Sequence, residues 1–129
     1  MIGKYLLDTN IIIALINQEP AVIQRISESS ETAISSITVG ELCYGARQSK
    51  KTIENLAKLD SFFAETLILD CTEVTGKIYG AIKSQLRKKG RPIPENDIWI
   101  AATALQYDLI LVTRDSDFEA VDNLILESW

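Results

Sequence analysis

The sequence of 129 residues contains no histidine. Without an imidazole side chain, the protein can form no Ser-His-Asp triad, no Cys-His pair, no histidine general base and no histidine-ligated metal site. Any enzymatic chemistry must therefore use other groups. Carboxylates, together with a hard metal ion, are the candidates that this composition leaves.

Cysteine is almost as scarce, because Cys43 and Cys71 are the two examples in the chain. Neither belongs to a CxxC pair or to a spacing that is typical of metal ligands. We therefore interpret both as reduced thiols, and a single disulfide between them stays open as the alternative.

Long apolar runs are also absent. Asp8 and Asn10 interrupt the apolar region near the N-terminus, and only six apolar residues, Ile11–Ile16, follow them. This run is too short for a membrane span, and nothing in it resembles a signal peptide. We expect a cytoplasmic protein with no membrane segment, in which residues 1–129 fold as a single domain.

Positive charge is in deficit, with 13 basic against 18 acidic residues and a net charge of -5. Proteins that bind nucleic acid are usually basic, so this balance argues at first against such a partner. If four acids belong to one metal site, however, 14 acidic residues remain against the 13 basic ones. A nearly neutral body with a local basic loop and bound divalent cations can still hold a phosphodiester.

Short apolar segments alternate with helical patterns along the whole chain. The predicted strands are KYLL, TAIS, TLILD and LILVT, with NLILES as a fifth strand at an edge. The segments between them carry the apolar spacing of helices, and the longest helix is predicted over residues 72–89 and ends at Gly90. This pattern predicts an α/β fold, a three-layer α/β/α sandwich with a short parallel sheet of four to five strands.

Four acidic residues lie where elements of this fold begin or end. Asp8 and Asp115 follow the first and fourth predicted strands, Glu41 lies in the first turn of a helix, and Asp97 opens another helix. In open parallel sheets, ligands bind in the crevice at the carboxyl ends of the strands. Taken singly, each acid could instead be a helix cap, with Thr38 and Glu41 as a capping box and Asn96 or Asp97 as an N-cap.

The four acids are harder to explain as caps when they are taken together. If the first and fourth strands are neighbours, Asp8 and Asp115 approach one another, and the like charges raise each other's pKa unless a cation intervenes. Clustered carboxylates are the environment that suits Mg²⁺ or Mn²⁺. Such a site favours hydrolysis of a phosphodiester by metal-activated water, which a protein without histidine can perform.

The sequence resembles a known family at these same residues. The resemblance is carried, in this order, by LLDTNIII, ISSITVGELCYGA, GRPIPENDIWIAATA and LILVTRDSDFEAV. These segments are similar to the PIN-domain family and, within it, to the VapC toxins of VapBC toxin–antitoxin systems. The similarity covers essentially the whole chain and implies a metal-dependent endoribonuclease, held inactive by a cognate VapB-type antitoxin.

The resemblance also implies roles for individual residues. The acidic quartet that binds Mg²⁺ or Mn²⁺ in the family is matched by Asp8, Glu41, Asp97 and Asp115. Asp117 matches a further acidic position that is less uniform in the family. Polar positions that support the acids or contact substrate are matched by Thr9, Asn10, Asn96 and Thr113. Because VapC toxins commonly dimerise, a homodimer is expected as well.

Two groups of basic residues are candidates for contact with RNA. Arg114 directly precedes Asp115, so it is expected beside the metal site, either on the RNA or paired with an acid. The second group ends the long predicted helix and consists of Arg87, Lys88, Lys89 and Arg91. Charged runs at a helix end are usually solvated faces favoured by the helix dipole, so both interpretations stay open.

Several aromatic residues also admit two interpretations. Trp99 is expected in the core, because it belongs to an alanine-rich helix. Tyr44, Phe62 and Phe63 are expected in the core too, with a groove for a partner peptide as the alternative. Trp129 either docks on the domain or belongs to a loose tail.

Two rival functions come from other classes. A phosphatase or phosphoacceptor domain would use Asp8 as nucleophile, but haloacid-dehalogenase-like phosphatases carry a second Asp two residues later, where this chain has Asn10. Receiver domains need a lysine beside the pocket, which LVTRD lacks. A PIN-like scaffold that only binds protein or RNA is the second rival. The complete acidic quartet argues against it, because clustered carboxylates without a metal cost stability.

Overall fold

The strands of the computed structural model form one parallel sheet. They are β1 (Lys4–Leu7), β2 (Glu31–Ser35), β3 (Leu67–Leu69), β4 (Ile110–Val112) and β5 (Leu126–Glu127). Their order across the sheet is β3-β2-β1-β4-β5, and each neighbouring pair is parallel. The structure describes residues 4–129, so the first three residues of the predicted domain lie outside the described range. The predicted parallel sheet of four to five short strands is confirmed.

Helices cover both faces of this sheet. In the described residues the α-helices are α1 (Thr9–Ile16), α2 (Pro20–Glu28), α3 (Ser36–Arg47), α4 (Thr52–Ala64), α5 (Glu73–Lys89) and α6 (Glu95–Gln106), and a 3-10 helix spans Ser116–Ala120. Helix α5 ends at Gly90, as predicted. Gly90 has a left-handed φ of 67°, which glycine adopts without steric cost. The loop of residues 91–94 then leads directly into α6.

Two apolar cores lie on opposite faces of the sheet. Leu6 of β1 and Leu111 of β4 belong to the core formed with α5 and α6. Leu7 and Val112, the next residues along the same strands, belong to the core formed with the first four helices. Successive side chains of a strand point to opposite faces, so both residues of each pair must be apolar. The predicted three-layer α/β/α sandwich is confirmed.

The central strand β1 marks the point where the order of the sheet reverses. The chain leaves β1 to form β2 on one side, whereas β4 lies on the other side. In open parallel sheets, the crevice beyond the carboxyl ends of the strands at such a point is where ligands bind. The backbone N–H of Asp8 donates to the carbonyl oxygen of Val112 over 2.9 Å, so the ends of β1 and β4 open into one crevice.

Two helices begin earlier than the sequence predicts. Helix α3 starts directly after β2, because the hydroxyl of Ser35 caps it by accepting a hydrogen bond from the backbone N–H of Thr38 over 3.2 Å. Glu41 is therefore in the second turn, and the predicted capping box of Thr38 and Glu41 is wrong. Helix α6 has Pro94 at its N-cap position, so Asp97 is its third residue and neither Asn96 nor Asp97 is the cap.

Two expectations about the chain as a whole can be compared with this fold. Among residues 4–129, no helix combines the length and the apolar character that crossing a membrane requires. Cys43 is half-buried, Cys71 is exposed, and both thiols are free. The interpretation of two reduced thiols therefore agrees with the structure, and the disulfide alternative does not.

Candidate active site

Asp8 lies in the crevice, directly after β1. Only 5% of the residue is exposed to solvent. Its carboxylate accepts hydrogen bonds from the backbone N–H of Thr9 over 2.8 Å, the hydroxyl of Thr113 over 2.7 Å and the amide of Asn10 over 3.3 Å. Burial raises the pKa of Asp8, the bonds from Thr113 and Thr9 oppose the rise, and the charges of Glu41 and Asp115 add to it.

Glu41 reaches the same crevice from α3. Its carboxylate accepts a hydrogen bond from the hydroxyl of Thr9 over 2.6 Å and one from the amide of Asn96 over 3.4 Å. Thr9 opens α1 and Asn96 is the second residue of α6, so side chains from two other helices hold this carboxylate. The four polar residues predicted to support the acids therefore all donate to, or lie next to, Asp8 or Glu41.

Three further acids form the solvent side of the site. Asp97 and Asp115 are half-buried, Asp117 is exposed, and each offers a carboxylate oxygen that lies within 4.8 Å of the others. Asp115 also accepts a hydrogen bond from the backbone N–H of Asp117 over 2.9 Å, which caps the 3-10 helix. The same residue is therefore both a helix cap and a member of the acidic cluster, two interpretations that the sequence presented as alternatives.

Asp97 is half-buried among the charges of the other acids. Burial, followed by the charges of Asp8, Asp115, Glu41 and Asp117, raises its pKa from 3.8 to about 7. None of the ion pairs in the part of the chain that the structure describes involves any of these five acids. Only protons or a bound cation can therefore relieve the repulsion at Asp97.

The donor set fits a hard divalent cation. Every candidate ligand is a carboxylate oxygen, and the three that lie within 4.8 Å of one another leave room for an ion between them. Mg²⁺ and Mn²⁺ prefer such oxygen donors, whereas softer metals select imidazole or thiolate ligands. The acids come from the ends of β1 and β4 and from α3 and α6, so the fold itself brings them together.

The predicted RNA-contact residues have different surroundings. The guanidinium of Arg114 is held by Glu19, with N–O distances of 2.9 and 3.3 Å, and by the backbone oxygen of Trp129 over 3.0 Å. The structure thus has the arginine paired with an acid, and Glu19 was not predicted because it lies 95 residues away. Arg87, Lys88, Lys89 and Arg91 are exposed at the end of α5, where Lys89 pairs with Asp122.

The aromatic residues divide between the interior and the surface. Trp99 is half-buried and stacks on Tyr79 with ring centroids 4.1 Å apart. Phe62 and Phe63 are partly buried against the core of the first four helices. Tyr44, however, is 66% exposed, so its predicted place in the core is wrong, because α3 turns this position outward.

Residues 5–124 match the family model of the PIN domain. The chain belongs to the PIN-domain family. This PIN-domain chain is 41% identical to "Ribonuclease VapC2" of Haemophilus influenzae and 36% identical to "tRNA(fMet)-specific endonuclease VapC" of Shigella flexneri. Each comparison covers 98% of this chain and 98% of the relative. The predicted resemblance to PIN-domain proteins of the VapC type is therefore confirmed.

The fold of this PIN-domain chain is shared with solved VapBC structures. One is the crystal structure of VapBC2 from Rickettsia felis bound to a DNA fragment from its promoter. The two chains superpose with a TM-score of 0.91 at 36% identity, over 98% of each chain. A second, DNA-bound VapBC from Salmonella typhimurium, gives a TM-score of 0.92 at 33% identity. PIN-domain ribonucleases are metal-dependent as a class, which agrees with the acidic cluster.

Proposed function

We propose that this chain is a divalent-metal-dependent endoribonuclease and the toxin of a toxin–antitoxin pair. The observation that supports the proposal most directly is the group formed by the carboxylates of Asp97, Asp115 and Asp117, whose oxygens lie within 4.8 Å of one another. The charges of Asp8 and Glu41 also act on Asp97, and none of the five acids forms an ion pair in the described residues. Full-length relatives whose names are ribonuclease and endonuclease give the same reaction class. Neither the phosphatase nor the scaffold rival accounts for both observations.

In this proposal Asp8, Glu41, Asp97 and Asp115 hold Mg²⁺ or Mn²⁺, with Asp117 on the exposed side of the site. When bound, the cation supplies an activated water and neutralises charge on the scissile phosphate. Thr113 and Asn10 fix the carboxylate of Asp8 through their hydrogen bonds, and Thr9 fixes that of Glu41. Two of the ligands are thereby oriented before the substrate arrives.

Asp97 gives the site a dependence on pH. With a pKa of about 7 in the metal-free protein, its carboxyl carries a proton at mildly acidic pH. Cation binding requires the deprotonated form, so protons compete with the cation and binding releases a proton. We therefore expect cleavage at limiting metal to weaken as the pH falls below 7.

For the RNA backbone we assign the exposed group Arg87, Lys88 and Arg91 at the end of α5. The loop of residues 91–94 joins this group directly to the part of α6 that carries Asn96 and Asp97. Lys89 is bound to Asp122 and to the backbone oxygen of Ala120, so it contributes less free charge. Arg114 is likewise engaged by Glu19.

Replacing Arg87, Lys88 and Arg91 with glutamine tests this assignment. KM for RNA should rise, and the salt dependence of binding should weaken by about one counterion for each lost phosphate contact. The matched control makes the same change of charge at Arg47, Lys50 and Lys51. Equal effects in both variants would mean that RNA binding responds to the net charge of the protein and not to contacts with the α5 group.

The proposed partners follow from the structural neighbours. Several of them are VapBC complexes, so we propose a cognate VapB-type antitoxin for this chain. We also propose a homodimer and a cytoplasmic location, both of which rest on the resemblance to VapC toxins. Residues 1–129 form a single domain in this proposal, because the two apolar cores share one sheet.

The decisive experiment is a cleavage assay with antitoxin-free protein. The substrates are initiator tRNA, chosen because of the name of the Shigella flexneri relative, and a pool of single-stranded and hairpin RNAs. Reactions contain Mg²⁺, Mn²⁺ or EDTA, with Asp97→Asn as the inactive variant and Glu73→Gln as an acidic control outside the site. Cleavage that requires metal and is lost only in Asp97→Asn supports the proposal.

Other outcomes of this assay point to the rivals. Metal binding without cleavage of any RNA would favour the scaffold, and no metal binding at all would remove the proposed chemistry. A phosphoryl group trapped on Asp8 would revive the aspartate-nucleophile phosphatase. Cleavage of tRNA alone, with the pool intact, would name the substrate class directly.

A further inference from the structure

Trp129 lies against the domain through three contacts of its side chain. Its ring meets that of Tyr5 edge to face, with centroids 5.2 Å apart, and the guanidinium of Arg25 lies 5.2 Å from the ring centroid. The indole N–H donates to Glu127 over 2.8 Å, and Glu127 also pairs with Arg25. The alternative of a loose tail is therefore wrong for this residue.

Arg114 connects Trp129 to the acidic site. Its Nε donates to the backbone oxygen of Trp129, and its two terminal nitrogens form a fork on the carboxylate of Glu19. Both side chains of this ion pair are exposed, at 37% and 43%. The guanidinium is thus held from two directions by planar hydrogen bonds, which restrict its orientation more than a single charge contact would.

The backbone of Arg114 lies between the two ends of the site. Its N–H donates to the amide oxygen of Asn10 over 3.3 Å, and the amide nitrogen of Asn10 donates to Asp8. The hydroxyl of the preceding residue, Thr113, donates to Asp8 and accepts from the N–H of Asp115 over 3.0 Å. A displacement of residue 114 would therefore move Asp8 and Asp115 relative to each other.

We propose that Arg114 and Trp129 are positioning residues that fix the segment of residues 113–117 and thereby hold Asp115 and Asp117 in the acidic cluster. This inference rests on the proposed function of the site. It gives a role to Trp129 and to Glu19, and it places Arg114 off the RNA. Exposed ion pairs contribute little to stability, so the value of this one lies in the geometry that it imposes.

The sign of the effect on cation binding separates positioning from charge alone. Arg114→Gln removes a positive charge beside the acids, so electrostatics alone would make Mn²⁺ bind more tightly. Glu19→Gln removes a negative charge, so electrostatics alone would make Mn²⁺ bind more weakly. Loss of positioning weakens binding in both variants, because Arg114→Gln removes the guanidinium and Glu19→Gln removes the charge that holds it. Arg114→Gln therefore decides between the two explanations.

The test measures the Kd for Mn²⁺ in RNA-free protein by calorimetry. We expect about tenfold weaker binding in Arg114→Gln and in Glu19→Gln, in the range found when the partners of metal ligands are removed. The double variant should be no weaker than either single variant, because one shared interaction is lost. The control is Glu73→Gln, which breaks the exposed pair with Lys77 on α5 and should leave the Kd unchanged.

Trp129 is tested by two substitutions, so that loss of folding cannot obscure the result. Trp129→Ala should weaken Mn²⁺ binding in the same direction as Arg114→Gln. Trp129→Phe keeps a ring against Tyr5 and Arg25, so it should recover most of the affinity. Thermal unfolding of each variant shows that the measured protein is folded.

Three results would overturn the positioning role. Tighter Mn²⁺ binding in Arg114→Gln would mean that Arg114 acts on the site through its charge alone. If Arg114→Gln alone leaves the Kd for Mn²⁺ unchanged and raises KM for RNA, Arg114 contacts RNA and does not position the site. An unchanged Kd in every variant, with normal binding by the wild type, would leave the network without influence on the site. A wild type that binds no Mn²⁺ would instead overturn the proposed metal site, and this inference with it.

Discussion

The two halves of the acidic site are held in different ways. Asp8 and Glu41 accept hydrogen bonds from threonine and asparagine side chains, so their carboxylates have fixed orientations in the metal-free protein. Asp97 is instead half-buried among like charges, and burial, followed by the charges of its neighbours, raises its pKa to about 7. The comparison shows that the fold prepares one half of the site in advance and leaves the other half under electrostatic repulsion that a cation would remove.

The largest expected effect is the loss of cleavage when either half loses an acid. Asp8→Asn and Asp97→Asn should each lower kcat/KM for RNA by about 1,000-fold, since several kcal/mol of transition-state stabilisation depend on the cation. Single-turnover cleavage at saturating Mg²⁺ measures this. Near-normal activity in either variant would exclude that acid from the site.

A smaller effect is expected when Asp8 loses one of the hydrogen bonds that orient its carboxylate. Thr113→Val removes the hydroxyl that donates to Asp8 and accepts from the N–H of Asp115, so the pKa of Asp8 should rise further. Cation affinity should fall by about 10- to 100-fold, as for other partners of metal ligands. The control is Thr66→Val, which removes a hydroxyl bonded to the carbonyl of Phe62 at the end of α4. Equal losses in both variants would mean that the hydroxyl supports folding alone.

The two halves should differ in stability when the same chemical change is made in each. In metal-free protein, Asp97→Asn removes a repelled charge and should raise Tm by about 2–5 °C. Asp8→Asn should give a smaller rise, because the relief of its buried charge is offset by an amide placed where the carboxylate accepted hydrogen bonds. Calorimetric scans in EDTA measure both, and an equal rise in the two variants would remove the distinction between the halves.

The smallest effect is a dependence of stability on pH. A carboxyl whose pKa is raised on folding binds its proton more tightly in the native state, so its contribution to stability is lost as the pH rises through the folded pKa. For Asp97 this predicts that metal-free wild-type protein loses stability between about pH 4 and about pH 7, relative to Asp97→Asn. Denaturant unfolding of both proteins at several pH values measures the difference. A difference that grows in the opposite direction would contradict the raised pKa.

The fold and the clustering of the acids could largely be predicted from the sequence, for physical reasons. The apolar runs of β1 and β4 fill two cores at once, which only strands covered on both faces require. Asp8 directly follows β1 and Asp115 lies three residues beyond the end of β4, so the parallel pairing of the two strands brings both acids to the same edge of the sheet. The prediction of a VapC-type ribonuclease is confirmed by relatives that match over the full chain.

Other features depend on contacts that no local pattern records. The start of α3 was misplaced because Ser35 serves both as the last residue of β2 and as the cap of the helix. The pairing of Arg114 with Glu19 joins segments 95 residues apart, so charge alone could not distinguish it from contact with RNA. The roles of the individual acids in metal binding and catalysis stay predictions until the variants are measured.

The order of the strands along the chain also determines when, during synthesis, the acidic site is complete. Residues 8 and 41 are synthesised early, but residues 97 and 115 come late, and the partner of β1 that completes the crevice is β4. Under the proposed roles of these acids, a nascent chain that has not yet exposed residues 97 and 115 carries half of the site, and we expect it to leave RNA intact. A fragment that terminates before residue 97 lacks two of the four proposed ligands, so we expect it to be inactive.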